Sequence, residues 1–243
     1  MAWAPAFTWT GFYAGVHGGY GWGNTSYFWP VAGDISGSFA RFAGGRFMQR
    51  LDGGTYGGHW GYNLQAGNWL LGLEASLDGS SITGHSGDQF AGAAPGASYN
   101  GKLKWFGSFT PRLGYARDNW LVYAKGGLAA GEIHTQLFNA TSLLVTNQRN
   151  DHIGWTIGAG VEYALTSNWI FGLEYNYADL GEQTYGGLLR KTTGTILGNP
   201  NEYHLHPKFG TVLARLSYKP GEPRSIAAPI RTSISAGIWQ GIY

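Results

Sequence analysis

The feature of this sequence that most restricts its fold is a strict alternation of apolar and polar residues. Leu71, Leu73 and Leu77 alternate with glycine or polar residues, and the same two-residue period runs through 151–165 and 168–180. A two-residue period places the apolar side chains on one face of a β-strand. The sequence therefore predicts strands that have one apolar face and one polar face.

Eight segments of this kind can be marked, and each exceeds the roughly 9–11 residues that a tilted strand needs to cross the hydrocarbon of a membrane. They run over 10–22, 53–66, 68–79, 102–116, 119–133, 151–165, 168–180 and 204–219. The connections between them alternate between tight turns and long polar stretches, which lie near 23–52, 80–101, 134–150 and 181–203. Short periplasmic turns and long external loops are typical of outer-membrane barrels.

We therefore predict an all-β fold, an eight-stranded antiparallel transmembrane β-barrel over residues 10–219, preceded by a periplasmic segment, 1–9. An even number of strands can close on itself, so that no unpaired backbone edge faces lipid. A soluble β-sandwich or lipocalin-like barrel is the alternative. It would bury the apolar face inside and offers no reason for the alternating connection lengths.

The composition agrees with a membrane location. Only 12% of the residues are charged, against about a quarter in soluble domains. The absence of cysteine excludes disulfides and thiolate metal sites, and no run of Lys and Arg indicates nucleic-acid binding. We expect an integral protein of the bacterial outer membrane. Its expected partners are the membrane lipids and lipopolysaccharide, and the barrel assembly machinery during biogenesis.

Three Asn-Trp pairs open strands in the same way: Asn68-Trp69, Asn119-Trp120 and Asn168-Trp169. Asn accepts turn dihedrals, including positive φ, and a Trp ring is favoured at the headgroup level. The predicted periplasmic aromatic girdle consists of Trp69, Trp120, Trp169, Tyr62, Tyr115, Tyr163 and Tyr218. Candidates for the outer girdle are Trp22, Trp105, Trp155 and Tyr177. The alternative is that these aromatics are ordinary core residues.

Charged residues with inward parity form the most organised polar feature. We expect them to share one level of the lumen and to pair as Glu74 with Arg112, Lys125 with Glu162, and Glu174 with Arg215. Unpaired charges in a narrow lumen would be costly. The set predicts a plug of ion pairs that fills the barrel; the alternative is a gate in a narrow pore.

Catalytic, metal and cofactor sites are not expected. His204 and His206 share a strand face and could bind a metal, but isolated His-x-His pairs are usually not metal sites. His85 and His134 are expected in loops. Ser76 and Ser108 face inward, but the spacing places no serine next to a histidine, as nucleophilic catalysis would need.

The residues Trp9-Thr10-Gly11-Phe12-Tyr13-Ala14-Gly15 and the glycine-rich run 18–23 resemble the first strand of small outer-membrane barrel proteins of alphaproteobacteria. Residues 169–175 and 212–219 fit the later strands of that family. These porin-like surface proteins are similar in fold to the membrane domain of outer-membrane protein A. The resemblance implies a structural, surface-exposed barrel with at most small-pore activity, or alternatively binding of haem or another envelope ligand through the external loops.

The tail departs from the family pattern, because Pro220 stands where an aromatic usually ends the chain. Proline has no backbone N–H to donate, so the last strand should stop there. We interpret 220–243 as a periplasmic linker or tail. Its closing residues 239–243 repeat the form of 9–13 and could begin a second barrel; the rival interpretation is that Tyr243 serves as the aromatic end signal.

Overall fold

The computed structural model describes residues 7–28, 46–86, 98–138, 144–185, 189–190, 196–197 and 203–221. The predicted tail after 221 lies outside this part of the chain. Eight long strands are present: β1 (Gly11–Phe28), β2 (Arg46–Ala66), β3 (Trp69–Ser80), β4 (Ser98–Arg117), β5 (Trp120–Phe138), β6 (Leu144–Ala164), β7 (Trp169–Asp179) and β8 (Tyr203–Tyr218). Short strands lie at Thr83–Ser86, Gln183–Tyr185, Leu189–Arg190 and Ile196–Leu197.

The eight long strands form a closed antiparallel barrel. Each strand pairs with its sequence neighbour, and β1 also pairs with β8 from Ala14 opposite Tyr218 to Phe28 opposite His204. Closure gives every strand two partners, which removes the edges that lipid cannot satisfy. This confirms the predicted fold class. In the described part of the chain, no helix has the length and apolar character needed to cross a membrane.

Several strands are longer on the external side than the alternation predicts. β1 continues to Phe28 rather than 22, and β2 begins at Arg46 rather than 53. β5 and β6 likewise take in residues that we expected in a long loop. Backbone pairing needs no apolar face, so a ladder continues beyond the lipid where the alternation fades. The long loops predicted from the sequence are shorter by these residues.

The tight turns lie at one end of the barrel. Positive φ is found at Gly67 (61°) and Asp118 (54°). The asparagines that follow them do not take positive φ, contrary to the expectation for Asn68 and Asn119. Glycine adopts this conformation freely and aspartate tolerates it, so the turns form on the residue before each asparagine.

The strands have the two faces that the alternation predicts. Exposed apolar side chains point outward, among them Leu73 at 51% and Ile157 at 56% exposure. The inward side chains include two buried apolar clusters, one at each end of the lumen. The periplasmic cluster contains Trp9, Leu70, Ala116, Leu121, Tyr123, Ala164 and Ile170. The external cluster contains Tyr27, Leu51, Ile82, Leu103, Phe106, Ala129, Ile133, Ala178, Leu180, Tyr185, Leu205 and Phe209.

Candidate functional site: the charged lumen

Six charged residues lie together in the lumen between the two apolar clusters. They are the predicted residues Glu74, Arg112, Lys125, Glu162, Glu174 and Arg215, and each is between 1% and 6% exposed. Three are cations and three are carboxylates, so their formal charges cancel. We call these six residues the charged layer.

Glu74 on β3 is the centre of the charged layer. Its Oε1 accepts a hydrogen bond from Lys125 Nζ at 2.8 Å, and its Oε2 accepts one from Arg112 Nη1 at 3.1 Å. Arg215 Nη2 on β8 also donates to Oε2, at 2.5 Å. Charge-assisted bonds of this kind are stronger than neutral ones. One carboxylate on β3 therefore binds side chains from three other strands, β4, β5 and β8.

The pairing within the layer differs in part from the expected pairs. Glu74 contacts Arg112, and Glu174 contacts Arg215. The expected pair of Lys125 with Glu162 is wrong: Lys125 Nζ lies 2.7 Å from Glu174, and Glu162 accepts a hydrogen bond from Arg112 at 3.0 Å. The register explains this, because Lys125 lies opposite Gly158, four residues from Glu162.

Two tyrosines complete the layer, and the sequence reasoning missed both. Tyr13 donates to Glu74 Oε2 at 2.7 Å and accepts from Arg112 Nη1 at 2.8 Å. Tyr123 donates to Glu174, and its ring lies 3.9 Å from the guanidinium carbon of Arg112. The signal was available as parity, since Tyr13 lies four residues before inward His17, and Tyr123 lies two before Lys125.

A second polar chain lies beside the charged layer. His17 Nε2 is 2.6 Å from Asp78 Oδ1, His17 Nδ1 is 3.0 Å from His59 Nδ1, and His59 Nε2 is 2.7 Å from Ser217 Oγ. The expectation that no serine adjoins a histidine is therefore wrong. His59 and Ser217 are 158 residues apart and meet across Gly15, which pairs with both. Local spacing could not reveal this contact.

The carboxylate of Asp78 fixes the direction of the first hydrogen bond in this chain. A carboxylate only accepts hydrogen bonds, so His17 donates to Asp78 through Nε2. The contacts of His59 with His17 and with Ser217 continue the chain. Each nitrogen and oxygen in the chain has one matched partner. Ser217 and His59 are each 2% exposed, so neither side chain is open to solvent.

Little open space remains beside these polar groups. A cavity bordered by His17, Ser76, Asp78, Lys125 and Phe106 has a volume of about 10 Å³, which is room for about one water molecule. Trp9 is 1% exposed within the periplasmic cluster, and Phe7 packs against that cluster. The end of the predicted 1–9 segment thus lies in the mouth of the barrel.

The aromatics predicted for the periplasmic girdle lie at the strand ends beside the tight turns, and their side chains point outward. The tryptophans pair directly with tyrosines on the next strand: Trp69 with Tyr115 (5.4 Å between centroids), Trp120 with Tyr163 (4.7 Å) and Trp169 with Tyr218 (5.2 Å). Tyr62 lies opposite Phe12, which is also exposed. The candidates for the outer girdle, Trp22, Trp105, Trp155 and Tyr177, are half-buried or exposed on the outward face.

The asparagines close the same units. The carbonyl oxygens of Asn68, Asn119 and Asn168 accept hydrogen bonds from the residue after the paired tyrosine, at 2.7 to 2.9 Å. Each Asn-Trp pair therefore joins the base of two strands that are connected on the external side. We call this arrangement the hairpin clasp.

The remaining histidines lie near the external end. His206 Nε2 is 2.6 Å from Asp179, and His204 Nδ1 is 3.2 Å from Glu182. His85 and His134 lie in strands, not in loops as expected, because the ladders continue beyond the membrane. Within the described ranges, no three His, Asp or Glu side chains come close enough together to hold a metal ion.

Curated proteins of known location resemble this chain along most of its length. The 31 kDa outer-membrane immunogenic protein of Brucella melitensis biotype 1 is 38% identical over 221 residues, which cover 88% of this chain and 84% of that protein. The 22 kDa outer membrane protein of Rhizobium leguminosarum bv. viciae is 30% identical over 181 residues, 74% of this chain and 69% of that protein.

Among solved structures, the outer membrane protein OprG from Pseudomonas aeruginosa matches with a TM-score of 0.49 at 12% identity, over 87% of this chain and 97% of that chain. The sequence-family model described as the outer membrane protein beta-barrel domain matches residues 1–219 of this chain. The family model and the Brucella and Rhizobium relatives agree with the closed barrel and its apolar outer face, and the chain belongs to the outer membrane protein β-barrel family as an integral protein of the outer membrane.

Proposed function

We propose that this protein is a structural, surface-exposed barrel whose lumen is closed by the charged layer, and that it is not an enzyme. The observation that carries the proposal is the neutral network of six buried charges, which fills the lumen between two apolar clusters. Breaking such a network to admit ions would leave buried charges without partners, which is costly. The cavity of about 10 Å³ beside the charged layer has room for about one water molecule, which supports a lumen with at most small-pore activity.

The polar chain that ends at Ser217 has the order of groups used in nucleophilic catalysis, with a serine, a base and an orienting acid. Its burial argues against that use. Substrate would have to reach a serine that is 2% exposed and lies next to the charged layer. We therefore assign the chain a structural role, in which the groups satisfy one another inside the barrel.

Single-channel recording in planar bilayers tests the closed lumen. We expect wild-type protein to give no lasting open channels, and Arg112→Ala to raise conductance by removing the bridge between Glu74 and Glu162. A matched control is Lys102→Ala, which removes an exposed cation outside the lumen. Regular open channels in the wild-type protein would overturn the proposal.

A second candidate, binding of haem or another envelope ligand, is favoured by a groove on the outward face near the external end. The groove has a volume of about 470 Å³ and is lined by Trp22, Tyr175 and Tyr177 with His204 and His206. This volume lies in the range of small-molecule sites. Flat aromatic surfaces beside imidazoles suit a planar ligand that takes a nitrogen donor.

Haem titration with absorbance detection tests this candidate. The double variant His204→Ala/His206→Ala should lose binding, while His134→Ala, which alters another outward histidine, should keep it. Equal binding by all three proteins would exclude the groove as the haem site.

A further inference from the structure

Three basic side chains form a row across neighbouring strands on the outward face of the barrel. Lys102 on β4 lies opposite His134 on β5, and His134 lies opposite Arg149 on β6. Adjacent strands are about 4.8 Å apart, so the row spans roughly 10 Å. Lys102 and Arg149 are exposed, and His134 is half-buried. We call these three residues the basic row.

The basic row lies on the external side of an apolar surface. Towards the membrane, Leu128 lies opposite Trp155, and Ala130 lies opposite Ile153. Leu128 is 64% and Ile153 70% exposed, as expected for side chains that face lipid. Two residues along a strand span roughly 7 Å, which places the basic row roughly 14 Å along the strands from Ala130 and Ile153. This separation matches the distance between the acyl chains and the headgroups of a lipid leaflet.

One mixed row separates the two surfaces. Glu132 lies directly opposite Asp151, and like charges in this position are destabilising. Lys104 occupies a bulge next to Trp105, which pairs with Glu132. Counting both rows, three permanent cations (Lys102, Lys104 and Arg149) oppose two carboxylates, and the outer of these two rows is basic throughout.

The two permanent cations of the basic row are free to bind an external anion. None of the ion pairs within the described ranges uses Lys102 or Arg149. Lys208, by comparison, is held by Asp179 at 3.1 Å. An arginine fork matches the geometry of a phosphate group, and a lysine adds a point charge beside it.

We propose that the basic row binds the phosphate groups of a phosphorylated glycolipid of the outer leaflet, whose acyl chains lie along Leu128, Ile153 and Trp155. The phosphate contacts Lys102 and Arg149, and His134 lies between them. The apolar rows below and the basic row above match the two parts of such a lipid in the order in which the membrane presents them. Binding fixes a lipid at β4 to β6.

The test uses the full chain folded in detergent micelles and titrated with fluorescently labelled, bis-phosphorylated lipid A. The test variant is Lys102→Gln/Arg149→Gln. The control variant is Arg50→Gln/Arg117→Gln, which removes two exposed cations elsewhere, one at each end of the barrel. Resistance to SDS without heating verifies that every variant is folded. Lys102→Arg/Arg149→Lys keeps both charges and serves as the rescue.

Each cation near a membrane surface contributes an affinity factor of about five. We therefore expect the test variant to lose at least about tenfold in affinity, while the control and the charge-preserving variant stay within about twofold of the wild type. The wild type should bind dephosphorylated lipid A weakly. Its affinity for this ligand should equal the affinity of the test variant for lipid A. Equal loss in the control variant would overturn the proposal, and so would equal binding of dephosphorylated lipid A or of phosphatidylglycerol by the wild type.

Discussion

Arg215 on β8 and Glu74 on β3 are 141 residues apart in the chain, yet Nη2 of the arginine lies 2.5 Å from Oε2 of the glutamate. Their strands are not neighbours in the barrel, so this contact crosses the lumen. It ties opposite walls together, whereas the backbone ladder ties only adjacent strands. The stability of the barrel should therefore depend on individual residues of the charged layer to different degrees.

Removal of Arg112 should be relieved best by a change at Glu162. Arg112→Ala takes away the hydrogen bond that Glu162 accepts at 3.0 Å, while Glu74 keeps Lys125 and Arg215. Loss of one partner of a buried pair costs about 3–5 kcal/mol. In urea unfolding from vesicles, Arg112→Ala/Glu162→Gln should recover more stability than Arg112→Ala/Glu74→Gln. Equal recovery would show that Glu162 does not depend on Arg112.

Glu74→Gln should destabilise the barrel more than Glu162→Gln. Glu74 accepts hydrogen bonds from two arginines, a lysine and Tyr13. Glu162 accepts one at 3.0 Å and lies 3.9 Å from Arg215. Bonds to charged groups contribute about 1.5–3 kcal/mol each, so the difference in unfolding free energy should exceed about 1.5 kcal/mol. The reverse order of stability would contradict this arrangement of the layer.

Gly15→Ala should disrupt the contact between His59 and Ser217. A Cβ at this position would lie 2.7 Å from His59 Nε2 and 2.3 Å from the carbonyl oxygen of Leu216. Overpacking of this kind typically costs about 1–3 kcal/mol. The matched control is Gly126→Ala, whose Cβ would lie at least 3.4 Å from its neighbours. Thermal unfolding of the two variants at the same temperature would contradict the close approach at Gly15.

Ser217→Ala should leave His59 Nε2 without its hydrogen-bond partner. A buried polar atom left unsatisfied costs about 1–3 kcal/mol. Ser108→Ala is the control, because Ser108 is only partly buried beside Ser76, at 3.0 Å. Urea unfolding should show the larger loss for Ser217→Ala. A loss no larger than that of the control would mean that the polar chain adds nothing to stability.

Arginine at Leu73, Ile157 or Leu173 should impair insertion, since these exposed side chains face the hydrocarbon. The cost near the midplane is about 2–4 kcal/mol. Ser26→Arg serves as the control, because Ser26 is exposed on the outward face four residues beyond Trp22, towards the external end of β1. Folding yield into vesicles measures the effect. Unchanged yields for the three lipid-face variants would contradict the assignment of the outer surface.

The sequence predicts the barrel because its cause is local. The alternation around Leu73 and Ile157 follows directly from lipid on one side of each strand, and the tight turns at Gly67 and Asp118 fix which strands are neighbours. The external strand ends could not be predicted from the alternation, because the alternation depends on contact with lipid. Between 23 and 28, and between 46 and 52, no lipid enforces an apolar face, while the backbone pairing continues.

The interior was predictable only in part. Parity places Glu74, Lys125 and Arg215 in the lumen, but it does not define which charges meet across it. Lys125 reaches Glu74 and Glu174 because the register sets it away from Glu162. The contact of His59 with Ser217 needs a glycine on the strand between them. Distances across a lumen depend on both the strand register and the length of the side chains. The spacing of residues within one strand does not determine which side chains meet.

The hairpin clasp has a consequence for how the surface of this protein can vary. Three of the four pairs of strands joined on the external side are fastened at their periplasmic base by an aromatic contact, as with Trp169 against Tyr218, and in the fourth pair the backbone register places Phe12 opposite Tyr62. The depth of each pair in the membrane is thus defined at the end farthest from the cell exterior. A residue gained or lost at an external tip leaves that anchorage untouched, so the exposed tips are free to diverge under selection while the barrel keeps its position.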